Sequence, residues 1–191
     1  IYEDTIVLPA QCNFWTIGVG IFARSTQIEN SNAQNGRLWV ETTIYNTNRR
    51  CNNSPVFTGS PAATVYTGQT VNYLMGAIDP DGDSIDVRVI NPKRSNNVNF
   101  NYNNTYSISS PFKSFVFDFK TGDFSFKEAV NDTGKFVIAV QVSEYEKGTG
   151  LQLSTVIRDI QISLVDDTNR VPQLAPGGVG NKFCSISGGS V

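Results

Sequence analysis

The chain has 191 residues, room for one or two domains with a real core. A formal charge of −2 and a pI near 5.1 leave no electrostatic footprint for nucleic acid, and the absence of histidine removes the commonest general base and metal ligand. No run approaches the ~20 apolar residues of a membrane-spanning helix. Asn, Ser and Thr supply 52 residues while charged residues make up only 17%. A surface solvated by amides and hydroxyls suits an extracellular, strand-rich protein. No charged and then apolar export signal is visible at Ile1, so the expectation is a removed signal or an internal piece of a longer chain.

Strand signals follow in chain order: Trp15–Ile21, Leu38–Tyr45, Thr70–Met75, Ser84–Ile90, Phe115–Phe119, Phe124–Phe126, Phe136–Val142 and Val156–Val165. Each is rich in β-branched or aromatic residues and bounded by Gly, Pro, Asn or Asp. Polar and branched apolar residues alternate along Arg158–Leu164 and, less strictly, along Val137–Val142. That pattern buries one face and wets the other. Phe117–Phe126 reads as a hairpin in which Gly122 supplies a positive φ. No segment carries a capped helical stripe, so the fold class is all-β.

The chain also resembles itself. Trp15–Ile21 and Val137–Val142 are each followed by a polar loop and a second strand, and both second strands run into Asn-containing linkers ending in proline. Pro172 lies 117 residues after Pro55, and Val191 lies 120 after Val71. The domain expectation is therefore residues 1–51 as the last strands of a preceding sandwich repeat, 52–168 as a complete repeat, and 169–191 as the linker and first strand of the next.

Asn53-Ser54-Pro55-Val56-Phe57, Asp79-Pro80-Asp81-Gly82-Asp83-Ser84 and Val165-Asp166-Asp167-Thr168-Asn169 resemble immunoglobulin-like and cadherin-like repeats of bacterial surface proteins. With Cys12–Trp15, Thr121-Gly122 and Val142–Gly148, the chain is similar to repeats of large gliding-motility-associated adhesins, cargo of type IX secretion. The resemblance implies a non-catalytic stalk or adhesive filament at the bacterial cell surface. Its partners would be neighbouring repeats or filament copies, and surface glycans, with no nucleic acid and no membrane insertion. The alternative is a carbohydrate-binding β-sandwich module, for which Tyr102, Tyr106 and Phe112 are the aromatic residues expected to be exposed. Phe100, Phe117, Phe119, Phe124, Phe126 and Phe136 are expected mostly in the core.

Asp79, Asp81 and Asp83 form the densest acidic cluster. Carboxylates on alternate loop residues can converge on Ca2+, which takes six to eight oxygens, or the aspartates can simply cap the amides of a turn. Glu144 and Glu146 are paired acids with no pocket or separated environments, so no catalytic residue and no enzyme are expected. Antiparallel pairing of the first two strands would bring Cys12 near Cys51, a structural disulfide in an exported protein. Cys184 would be left without a mate in this chain.

Overall fold

The computed structural model describes residues 5–8, 12–22, 24–25, 27–33, 36–46, 51–60, 62–103 and 105–166. Among them lie thirteen strands and no helix; none, therefore, is a helix long and apolar enough to cross a membrane. The expected strands form as β1 (Trp15–Ile21), β2 (Leu38–Ile44), β5 (Val71–Tyr73), β7 (Ser84–Ile90), β10 (Val116–Phe117), β11 (Phe124–Phe126), β12 (Gly134–Tyr145) and β13 (Gln152–Val165). Five short ones were not legible: β3 (Val56–Phe57), β4 (Ala62–Tyr66), β6 (Ala77–Ile78), β8 (Lys93–Ser95) and β9 (Val98–Asn99).

The large sheet runs β7-β12-β13-β2-β8-β9, with β1 on β2 and β4 parallel to β13. A three-stranded sheet, β10-β11-β5, contributes the opposing layer, and β3 pairs with β6. Between the layers, Phe136, Ile138, Val140, Ile160, Ile162 and Leu164 meet Tyr73, Met75, Phe112, Phe124 and Phe126 in one apolar core. Phe112 is fully buried among Phe124, Phe126 and Phe136, its ring 4.2 Å from that of Phe126. The expectation that it is exposed was wrong: three rings close over it. Phe119, expected in the core, is 62% exposed, because it lies past the end of β10, where the chain turns back to β11. Gly122 takes φ +77 in that turn, as expected, and a Cβ there would press on Met75.

β12 is apolar on both faces because both are covered. Phe136, Ile138 and Val140 enter the core, while Val137 and Ala139, pointing the other way, are equally inaccessible. The segment before β2 packs here. Strand β7 pairs with β12 only from Tyr145 to Ala139. Farther back along β12, Glu29 N donates to Lys135 O (2.9 Å), and the fully buried Asn30 takes over at Val137. Asn30 Nδ2 donates to Val137 O (2.8 Å) and Pro111 O (2.8 Å), and Asn30 Oδ1 accepts from Val137 N (2.9 Å). A side-chain amide thus stands in for a strand partner. The Asn-containing stretch after β9 holds this segment through Asn32 N to Asn101 O and Asn103 N to Asn30 O, both 3.0 Å.

Residues on the two sides of the boundary expected at residue 51 are bonded to one another. β2 hydrogen-bonds β13 at Thr42↔Val156, Thr43↔Thr155 and Ile44↔Ser154, and Arg24 forms a buried ion pair with Asp159 on β13. Among the described residues the main apolar core nonetheless draws only on residues 57–164; the first strands extend the sheet rather than enter that core. The expected hairpin β1–β2 is in register from Trp15↔Ile44 to Ile21↔Leu38. Beyond its open end Cys12 and Cys51 are exposed and unbonded in this structure, so the expected disulfide is not formed here. The expected opening of a next repeat, 169–191 with Cys184, lies outside the described residues.

Candidate metal centre

The loop between β6 and β7 is built by Asp79. Its Oδ1 accepts from Asp81 N and Asp83 N, both 2.9 Å, an Asx-type closure completed by Gly82 at φ +80. This is the amide-capping turn weighed from the sequence. It uses only one oxygen, however. Asp79 Oδ2 is buried with no hydrogen-bond partner. Asp83 Oδ1 accepts from Lys147 N (2.9 Å), which fixes the loop against the β12–β13 turn.

The third carboxylate comes from β12. The antiparallel register Tyr145↔Ser84 and Glu144↔Ile85 sets Glu144 beside the point where the aspartate loop enters β7. Glu144 has 0% exposure. Its Oε2 accepts from Ser154 Oγ and from Asn52 Nδ2 (3.0 Å), while Oε1 has no partner. Oxygens of Asp79, Asp83 and Glu144 all lie within 4.8 Å of one another.

The structure thus brings together two of the three expected ligands and replaces the other. Asp81 turns away: its Oδ2 accepts from Asn53 N (2.7 Å) and its Oδ1 from Asn53 Nδ2 (2.9 Å). Those two bonds hold the Asp81 carboxyl below its ordinary range, the backbone one contributing most. Glu144 was legible only as one of two nearby acids, with Glu146, just past the expected strand Phe136–Val142; its burial was the missing signal.

Burial pushes the Glu144 carboxyl above its ordinary 4.5, against the Ser154 and Asn52 hydrogen bonds, and the charges of Asp79 and Asp83 push the same way. Three carboxylates with two orphaned oxygens and no lysine or arginine side chain donating to them among the described residues are a poor arrangement for a bare protein. They are a good one for a hard cation that binds through oxygen. The donor set fits Ca2+, which Asp79, Asp83 and Glu144 would hold.

The sign of the metal-free pH dependence follows. A carboxyl raised in the fold contributes stability that is full below its unfolded value and lost as pH rises through the folded value. In metal-stripped buffer, urea denaturation from pH 4 to 8 is expected to show stability falling as pH climbs past 4.5, with the slope flattened in Glu144→Gln. An equal slope in that variant would contradict the assignment.

No family model matches the sequence, and no curated protein matches it. Among solved structures, the chain is similar to an endo-fucoidan hydrolase from glycoside hydrolase family 107, at 12% identity and a TM-score of 0.35. The likeness covers 81% of this chain and 24% of that one, so the chain spans about a quarter of its length.

Proposed function

We propose that the chain is a non-catalytic, immunoglobulin-like or cadherin-like unit of a bacterial surface adhesin or filament, stiffened by calcium. The single observation that carries the reading is the fully buried Glu144, its Oε1 unpartnered among the carboxylates of Asp79 and Asp83. Asn52 and Asn53 bond Glu144 and Asp81, so the same cluster clamps the chain where it enters β3. An ion there would tie the entering chain, the β6–β7 loop and β12 together. That is the demand placed on a module that carries load between a cell and what it grips.

Other features agree with this role. The long β12–β13 ladder gives an extended hydrogen-bonded spine of twelve paired positions. The amide- and hydroxyl-rich composition suits an exported protein. Cell-surface placement is tested with antibodies to this chain on intact cells of the source organism. Labelling that protease treatment of whole cells removes is expected, with faster removal after calcium chelation. Labelling that appears only after permeabilisation would overturn the reading.

A further inference from the structure

At the far end of the β1–β2 hairpin from the carboxylates lies a cleft of about 410 Å³ lined by Phe22, Gly36, Arg37, Arg94, Ser95 and Val98. Its charges are unusual for this acidic chain. Of the described arginines, Arg24 donates to Asp159, Arg88 to Asp86 and Arg158 to Gly59 O. Arg37 and Arg94 have no acceptor among the described residues, and both line this one cleft. No carboxylate lines it among the described residues. Glu41, two residues along β2 from Trp39, already accepts from Trp39 Nε1 (2.6 Å) and pairs with Lys93.

The geometry readies Arg37 for a ligand. Just past Ile21↔Leu38, where the hairpin pairing ends, the Arg37 guanidinium lies over the Phe22 ring, 4.5 Å from its centroid. A ring face beneath the cation restrains it, while its N–H donors meet no acceptor among the described residues. Gly36, next in the chain, lies directly on the buried Phe100 ring, where a side chain would collide. Arg37 is therefore anchored from two sides while remaining exposed. Arg94 and Ser95 line the same cleft from β8, and Val98 adds an apolar wall.

We propose that this cleft binds an oxyanion substituent, sulfate or carboxylate, on a pyranose ring of an anionic polysaccharide. A guanidinium fork matches a planar or tetrahedral oxyanion bidentately, and two arginines line this cleft. The exposed Phe22 ring and Val98 offer apolar surface for the carbohydrate C–H face beside that fork. The cleft size falls within the range of small-ligand sites. Nucleic acid is disfavoured by chemistry: two arginines on a chain of net charge −2 supply far fewer phosphate contacts than duplex binding uses. The site is independent of the calcium cluster, so either assignment can fail alone.

Affinity electrophoresis of the full chain through gels containing dextran sulfate, polygalacturonate or neutral dextran tests the proposal. Retardation by one or both anionic polymers, and none by dextran, is expected; which polymer retards identifies the sulfate or the carboxylate. Arg37→Ala and Arg94→Ala are each expected to weaken retardation at least about tenfold. Arg37→Lys should do nearly as much harm, because an ammonium lacks the fork. Phe22→Ala should weaken it about threefold. All three residues are exposed, so the variants are expected to keep their circular dichroism and Tm. The exposed Lys120 and Lys147, changed together to alanine, should alter nothing. The proposal is overturned if neither anionic polymer retards the protein, if Arg37→Ala and Arg94→Ala are retarded like the parent, or if the lysine pair matters as much. Equal retention by single-stranded DNA would likewise overturn it, as a general attraction to polyanions.

Discussion

Saturating calcium is expected to raise Tm by about 5–10 °C, and Glu144→Gln is expected to abolish the rise. At free ion a hundredfold above Kd, binding to the folded state alone contributes about 2.7 kcal/mol, and each kcal/mol moves a domain of this size by about 2–4 °C. The glutamine keeps an oxygen for Ser154 and Asn52 but withdraws the charge from the oxygen facing Asp79 and Asp83. In the absence of metal the variant should match or exceed the parent in stability, since a buried like charge has gone. The control is Asp81→Ala. Both Asp81 oxygens serve Asn53, so this variant should keep the calcium response almost whole, whereas Asp83→Ala should lose it. Differential scanning fluorimetry with and without chelator reads all four. A response lost in Asp81→Ala and kept in Glu144→Gln would restore the ligand set read from the loop alone.

Asn30→Ala is expected to cost about 3 kcal/mol. Three hydrogen bonds end on this one buried amide, and its loss leaves Val137 N, Val137 O and Pro111 O without partners where water does not reach. Each unsatisfied buried group costs about 1–3 kcal/mol, partly recovered as the site relaxes. Tm should fall by roughly 6–12 °C. By the same reasoning a fragment of residues 52–168 exposes Val137, Ala139 and the edge of β12, and should unfold or aggregate. A fragment as stable as the whole chain, together with a loss below 1 kcal/mol in Asn30→Ala, would support the boundary expected at residue 51.

The strands were legible where one face is buried and one wet, because β11 and the body of β13 carry that alternation in their own residues. β12 was legible only in part. The residues that cover its second face, Glu29 to Asn32 and Phe100 to Asn103, belong to polar loops whose partners are set by tertiary contact. An asparagine-rich stretch reads as solvated until its amides are seen closing on backbone. The same limit produced the wrong place for Phe112, which sits between polar and proline residues yet fills the centre of the core.

The carboxylate cluster divides the same way. Asp79 and Asp83 could be read from loop spacing, since Asp79 makes the turn and alternate residues point to one side. Asp81 shares that spacing but meets Asn53, a residue 28 positions away. Glu144 lies 65 residues from Asp79 and joins it only through the β7–β12 register. Spacing finds local ligands; a strand register supplies the distant one.

The most direct measurement is the anomalous difference map of a crystal grown in millimolar calcium. The account predicts one peak with oxygens of Asp79, Asp83 and Glu144 at about 2.3–2.6 Å, Glu144 Oε1 among them, and with Asp81 still bound to Asn53. A map with no peak there, and Glu144 Oε1 hydrogen-bonded instead to water or protein, would contradict it.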